Sequence, residues 1–156
     1  MSKPELFRAV DEHVYASSLP RTQRNLEFLK RQGVGGIISL APMRPKLAAK
    51  AKELGMEIVS IPITEDVPPS DKELSTAYDF IIKKSAEGKK TLIHCFRGRQ
   101  RTSLMALNYL VSQGEHPLRA WQKQDYGAYQ EHKDYLHEHQ DHLKKLFESR
   151  RAMRRK

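Results

Sequence analysis

The chain is organised around twelve consecutive residues, Thr91-Leu92-Ile93-His94-Cys95-Phe96-Arg97-Gly98-Arg99-Gln100-Arg101-Thr102. The apolar start of this stretch predicts a short buried strand over 91–94, and the residues after it predict a polar loop and then a helix over about 102–112. The loop holds Cys95, the only cysteine of the chain, and Arg101 comes after it with five intervening residues. Such a loop can turn successive backbone N–H groups inward around an anion, beside the positive N-terminal end of the helix.

The side chains of this loop suit chemistry at phosphorus. We expect the Cys95 thiol, placed in such a positive field, to be largely thiolate at neutral pH. A thiolate beneath a bound phosphate is a nucleophile aimed at the phosphorus atom, and the planar fork of Arg101 suits two phosphate oxygens at once. The alternative is a buried, inert cysteine, but such a position needs no arginines or glycine around it.

The order His94-Cys95, five residues, Arg101-Thr102 resembles the signature loop of the cysteine-based protein tyrosine and dual-specificity phosphatases. The resemblance covers about residues 7–147. It includes residues 14–20, which are similar to the opening strand of small bacterial and archaeal members, and more weakly residues 126–129. The chain departs from the family at Ser103, where many dual-specificity enzymes have glycine, but this change removes no catalytic group.

The resemblance implies a role for each position of the loop. Cys95 attacks phosphorus and forms a phosphocysteine intermediate, while Arg101 and the backbone amides hold the phosphate oxygens. Thr102 donates its hydroxyl toward sulfur, and His94 orders the loop without transferring a proton. The expected substrate-binding residues are Phe96, Arg97, Gly98, Arg99, Gln100 and Thr102.

Two of these residues, Arg97 and Arg99, form a basic rim in the sequence. They alternate with smaller or neutral residues, so we expect their side chains to point toward the pocket mouth and to contact a second anionic group of the substrate. The alternative is that they brace the loop through nearby carboxylates.

A carboxylic acid near the pocket would protonate the leaving group and then activate water, as the family resemblance implies. The loop after the strand that ends at Ile61 offers Glu65 and Asp66 at the same sheet edge. The family's use of aspartate favours Asp66, whereas counting back from the pair Pro69-Ser70 favours Glu65. We take Asp66 as the expected general acid and Glu65 as the alternative.

Strand-like and helix-like segments alternate along the chain with short connections. Residues 37–40 read as a compact buried strand and residues 56–61 as the next strand, and Ser70 with Glu73 forms a capping box that opens a helix. This order predicts an α/β single domain, with a mainly parallel central sheet flanked by helices, of the protein-tyrosine-phosphatase type. We assign residues 1–149 to the catalytic domain and 150–156 to a basic C-terminal tail, which we expect to be solvated and disordered.

The composition fits a globular domain of 156 residues with a net charge of +9, which steers anionic partners toward the surface. No apolar run approaches the roughly 20 residues that cross a bilayer, and the start of the chain lacks a signal-peptide core. We therefore expect a cytoplasmic location. His132, His139 and His142 lie on similar faces of the last predicted helix, but no second ligand set accompanies them, so we predict no metal site and no cofactor.

These observations favour a metal-independent phosphomonoesterase that hydrolyses phosphotyrosine and phosphoserine or phosphothreonine esters on proteins. An alternative substrate is a polyphosphorylated small molecule, because residues 97–99 resemble the basic loop of fungal and plant enzymes that cleave inositol pyrophosphates. An RNA 5′-phosphate is suggested by charge alone. Two other classes remain open: sulfur transfer on a rhodanese-like domain, and a phosphate-binding module without turnover.

Overall fold

The computed structural model describes residues 3–154. The strands are β1 (Arg8–Ala9), β2 (Val14–Ser17), β3 (Val34–Ser39), β4 (Glu57–Ser60) and β5 (Lys90–His94). The helices are α1 (Gln23–Arg31), α2 (Pro45–Glu53), α3 (Asp71–Ala86), α4 (Gln100–Ser112), α5 (Pro117–Gln124) and α6 (His132–Arg154).

The strands form one sheet in the order β1-β2-β5-β3-β4. All neighbouring pairs are parallel except β1 with β2, which is antiparallel. This confirms the predicted α/β fold with a mainly parallel sheet. The two-residue strand β1 is too short to give an alternating pattern, which is why the sequence did not predict it.

Both faces of the sheet are covered, so its central strands are apolar on both sides. Neighbouring residues of β5 alternate: Leu92 packs with the helices α1 and α2, and Ile93 packs with α3, α4 and α6. Ile37 and Ile38 of β3 divide in the same way. The sequence of α4 leaves it little polar face, and the helix lies in the centre, since every residue from Thr102 to Ser112 is buried.

Local signals set the helix starts. Ser70 accepts a hydrogen bond from the N–H of Glu73, whose carboxylate accepts one from the N–H of Ser70, so the predicted capping box begins α3. Thr22 and Asn25 form an equivalent pair at the start of α1. Within residues 3–154, no helix combines the length and apolar character that a bilayer span needs.

The C-terminal helix differs from the prediction. The stripe of apolar residues predicts this helix over about 129–149, but it begins at His132 and continues to Arg154, so residues 150–154 of the predicted tail are helical. Arg150 explains part of this extension, because its guanidinium donates two hydrogen bonds, of 2.8 and 2.7 Å, to the carboxylate of Asp79 on α3. Residues 155–156 of the predicted tail lie outside the described residues.

Candidate active site

The site lies at the carboxyl edge of the parallel strands, where β5 ends at His94 and the loop to α4 begins. The loops after β2 and β4 reach the same edge, because parallel strands end on the same side of a sheet. The N–H of Leu19 donates a 3.1 Å hydrogen bond to the carbonyl of Phe96, which joins the loop after β2 to the loop after β5.

Cys95 lies at the bottom of this edge, with 2% of the residue exposed. Its Sγ accepts a hydrogen bond of 3.2 Å from the backbone N–H of Gly98. The loop therefore turns one amide toward the sulfur, as the sequence predicts for a loop that surrounds an anion.

Gly98 is required where it stands, because its φ of +74° is unfavourable for other residues. A Cβ at this position would also lie 2.6 Å from the carbonyl carbon of Ser17, on the neighbouring strand β2. The loop thus passes against β2 at a distance that only glycine permits, and this close passage helps to keep Cys95 enclosed.

His94 holds the loop from behind the sheet edge. The residue is fully buried, and burial lowers the pKa of its imidazole to about 4, against the smaller raising effect of its hydrogen bond to Cys95. Its Nδ1 lies 2.9 Å from the Cys95 carbonyl oxygen, which can only accept, so Nδ1 carries the proton. The Ser39 hydroxyl, 2.6 Å from Nε2, then donates to the ring. A neutral ring with two hydrogen bonds suits a role in positioning the loop of Cys95.

A cleft of about 540 Å³ opens above Cys95. Most of the predicted loop residues line it: Cys95, Phe96, Arg97, Arg99, Gln100 and Arg101. Glu65, one of the two candidate acids, and Gly127, which follows α5, complete the lining. Thr102 stands behind this lining, fully buried, and its hydroxyl has no hydrogen-bond partner among residues 3–154.

The two candidate acids have different positions. Glu65 lines the cleft, and its carboxylate lies 3.8 Å from Nε of Arg101 in a loose ion pair. Asp66 is not among the residues that line the cleft. Instead its carboxylate accepts a 2.5 Å hydrogen bond from the Gln100 amide, and its N–H donates one of 2.8 Å to the Gln100 oxygen. Of the two candidate acids, the structure therefore brings Glu65 to the cleft and holds Asp66 against Gln100.

A cluster of side chains far apart in sequence lies next to Gly127, and no local sequence pattern predicts it. The Arg8 guanidinium lies 3.8 Å from the ring centroid of Tyr126 and donates 3.2 and 2.9 Å hydrogen bonds to Gln124 and to the carbonyl of Leu6. Burial lowers the pKa of Arg8 to about 10. This arrangement supports the segment that carries Gly127, and the glycine in the Tyr-Gly-Ala-Tyr stretch was the only sequence signal for it.

The histidines of α6 have separate partners. His132 is buried against the amide of Asn108 at 2.9 Å, and His142 lies 2.8 Å from Asp71. His139 bonds the carbonyl of Tyr135 within its own helix. Among residues 3–154, no group of three or more histidine, cysteine or acidic side chains could hold a metal ion.

The comparison with known families agrees with this geometry. Residues 5–154 match the family described as Swiss Army Knife protein, DSP-PTPase phosphatase domain. The chain belongs to this family. The match confirms the resemblance to cysteine-based dual-specificity phosphatases that the signature loop indicated.

One curated relative of this DSP-PTPase domain is the phosphatidylglycerophosphate phosphatase PTPMT2 from Arabidopsis thaliana. It is 33% identical over 107 residues, which cover 65% of this chain and 46% of the relative. The chain therefore spans about half the length of the relative it matches.

Solved structures share the fold of the domain. The core catalytic domain of the PP-IP phosphatase SIW14 from S. cerevisiae, in complex with citrate, has a TM-score of 0.71 and 22% identity, covering 86% of this chain and 85% of its own. PTPMT1 in complex with PI(5)P has a TM-score of 0.75 and 18% identity, covering 90% and 97%. Tk-PTP in its active form has a TM-score of 0.70 and 24% identity, covering 91% and 96%.

Proposed function

We propose that this DSP-PTPase domain hydrolyses phosphate monoesters through a phosphocysteine at Cys95. The observation that carries the proposal is the position of Cys95 Sγ at the floor of the cleft, bonded to the N–H of Gly98 and enclosed by Arg101. Arg101 Nε has no hydrogen-bond partner among residues 3–154, and the Glu65 carboxylate 3.8 Å away is too distant for a hydrogen bond. This geometry supports a guanidinium that binds phosphate oxygens.

The reaction has two steps. In the first, the thiolate of Cys95 attacks phosphorus, the S–P bond forms, and the ester P–O bond breaks with its electron pair on the leaving oxygen. In the second, water attacks phosphorus and the thiolate leaves, releasing inorganic phosphate. The unpaired hydroxyl of Thr102 supports a donor role toward sulfur at this point. Arg101 and the loop amides stabilise the charge on the phosphoryl oxygens in both steps.

A general acid must protonate the leaving oxygen and then take a proton from water. We assign this role to Glu65, because it lines the cleft and approaches Arg101, whereas Asp66 is engaged by Gln100 at the rim. Asp66 in this assignment holds the acid-bearing loop on the loop of Cys95.

For the substrate, we favour a small molecule or lipid headgroup with more than one anionic group. The cleft is lined by Arg97 and Arg99 in addition to Arg101, which is more positive charge than one phosphate needs. The names of the relatives support this class, since they include a phosphatidylglycerophosphate phosphatase and a PP-IP phosphatase.

Phosphotyrosine and phosphoserine or phosphothreonine esters on proteins form the second candidate class. One observation favours it: Phe96 lines the cleft with 48% of the residue exposed, so its ring could pack on the phenyl group of phosphotyrosine. A phosphotyrosine peptide and a bisphosphorylated small molecule, compared by kcat/KM, separate the two classes.

The test of the function is hydrolysis of p-nitrophenyl phosphate by the purified protein and by Cys95→Ser. We expect the variant to lose turnover while keeping phosphate binding, because the amide cradle remains and a serine hydroxyl is barely ionised at neutral pH. Mass spectrometry of the acid-quenched native protein should detect a phosphate on Cys95, and Cys95→Ser is the matched control.

Two outcomes would overturn the proposal. Native protein without turnover would favour a phosphate-binding module, and thiosulfate:cyanide sulfur transfer without phosphate release would favour rhodanese-like chemistry. Vanadate should inhibit the native protein, whereas activity that disappears in EDTA would contradict the metal-independent mechanism.

A further inference from the structure

A second cavity, of about 640 Å³, opens beside the catalytic cleft. It shares Phe96, Arg97 and Arg99 with the cleft, so these residues form a ridge with one space on each side. Its other lining residues are Glu5, Leu6 and Arg21. The loop after β2, which carries Arg21, thus forms the far wall of a space that begins at the phosphate-binding loop.

This second cavity is strongly positive. Arg21, Arg97 and Arg99 line it, and none of the three guanidinium groups is in an ion pair with any residue in the 3–154 range. Glu5 is the single acidic residue of the lining. The alternative in which Arg97 and Arg99 brace the loop through carboxylates therefore finds no ion pair among these residues to support it.

Arg21 is held in place without its charge being neutralised. Its guanidinium lies 5.0 Å from the ring centroid of Phe96, a contact that leaves its N–H groups able to bind an anion. Its backbone N–H donates a 2.9 Å hydrogen bond to the side chain of Asn25, so the residue is tied to the first turn of α1. The contact with Phe96 joins Arg21 to the residue immediately after the nucleophile.

We infer that this cavity is a subsite for a second phosphate group, bound by Arg21, Arg97 and Arg99 while the reacting phosphate monoester lies over Cys95. The inference rests on the proposed function. It adds the position of the second anion, which lies on the Arg21 side of the ridge rather than on the Glu65 side. The substrate is then a molecule that carries a phosphate monoester and a second phosphate, as a free bisphosphate or as a lipid headgroup.

The test is a comparison of Arg21→Gln with the native protein on matched substrates. The soluble substrates are alkanediol bisphosphates of increasing length, each paired with the alkyl monophosphate of the same length. The kcat/KM of each bisphosphate is divided by two, because the molecule carries two equivalent phosphates. An exposed charge pair is worth up to about 1 kcal/mol, which is about fivefold. We therefore expect Arg21→Gln to lower the bisphosphate-to-monophosphate ratio by about fivefold at the optimal length.

Two controls sharpen the result. Arg24→Gln removes the same charge from an exposed position on α1 outside the cavity lining, so it should leave the ratio unchanged. Added salt should lower the bisphosphate-to-monophosphate ratio of the native protein, because exposed charges are screened within about 10 Å at 0.1 M.

A second substrate arm uses phosphatidylcholine vesicles that contain either phosphatidylglycerophosphate or phosphatidic acid, which lacks the second phosphate.

The source of the ligand is identified by the arm that responds. A loss with the soluble pair identifies a free bisphosphate, and a loss confined to the vesicle pair identifies a lipid headgroup. A bisphosphate-to-monophosphate ratio that is the same in Arg21→Gln and Arg24→Gln in both arms overturns the subsite. Such a failure is distinct from failure of the proposed function, in which the native protein would not hydrolyse p-nitrophenyl phosphate at all.

Discussion

Two buried histidines are expected to make the protein unusually sensitive to mild acid. His94 and His132 are both fully buried, and burial lowers the pKa of each to about 4, with the charge of His139 acting in the same direction on His132. In the unfolded chain each titrates near 6.5. Between these values the unfolded chain binds protons that the folded protein does not, so stability is lost as the pH falls from about 6.5 toward about 4.

The size of the effect can be worked from the two pKa values. One pKa unit corresponds to about 1.4 kcal/mol, so each histidine loses about 2 kcal/mol by about pH 5 and about 3 kcal/mol over the whole window. The two together lose about 4 kcal/mol at about pH 5, against a typical total of 5–15 kcal/mol. Hydrogen bonds from Lys84 and Lys83 lower the pKa of Glu57. Its contribution to stability is therefore lost only below its ordinary pKa of 4.5, outside most of this pH range.

Urea unfolding at about pH 7.5 and about pH 5, at equal ionic strength, measures this loss. His132→Gln should be less stable than the native protein at the higher pH, but its loss on acidification should fall by about half. His13→Gln changes an exposed histidine and should keep the full loss. The reasoning is refuted if the native protein unfolds at the same urea concentration at both pH values, or if His132→Gln shows the native loss.

Glu65→Gln is expected to lower kcat/KM by about 10²–10³ on alkyl phosphates, and much less on p-nitrophenyl phosphate, whose leaving group needs little protonation. Asp66→Asn should lower kcat/KM by less than about tenfold on both substrates. A large loss in Asp66→Asn with a small loss in Glu65→Gln would instead identify Asp66 as the acid. Gly98→Ala should cost about 2–3 kcal/mol of unfolding free energy and most of the activity, because it adds a clash with Ser17 to a positive φ. Gly114→Ala, at φ +96° with nothing within 4 Å, should cost only about 1 kcal/mol, and equal losses for the two variants would contradict the clash.

The phosphate-binding loop could be predicted from the sequence because its determinants are consecutive. Cys95, Gly98 and Arg101 act within one loop, and the strand and helix around it have clear local signals. The apolar residues of 91–94 predicted a short buried strand, and the structure divides Leu92 and Ile93 between the two core clusters. The local sequence pattern is sufficient to predict a structure or a site whose determinants are neighbours in sequence.

The walls of the cleft depend on contacts that no local pattern contains. Arg8 and Gln124 are separated by 116 residues, yet a hydrogen bond joins them next to the segment that brings Gly127 to the cleft. Arg21 lies beyond the opening strand and reads in the sequence as an ordinary charged residue before a helix. Its position beside Phe96 arises because β2 and β5 are adjacent and parallel, and strand order is not visible in the sequence of either strand.

The choice between Glu65 and Asp66 shows the same limit at the level of one residue. A parallel sheet predicts that the loop after β4 reaches the loop after β5, and this prediction placed both acids near the site. Which acid enters the cleft depends on the backbone, because Asp66 has a φ of +61° that turns the chain at this point. Gln100, 34 residues away, holds that turn with two hydrogen bonds. The uncharged side chain of Gln100 thus fixes the position of Asp66, and neither the family's use of aspartate nor the count from Pro69 includes that contact.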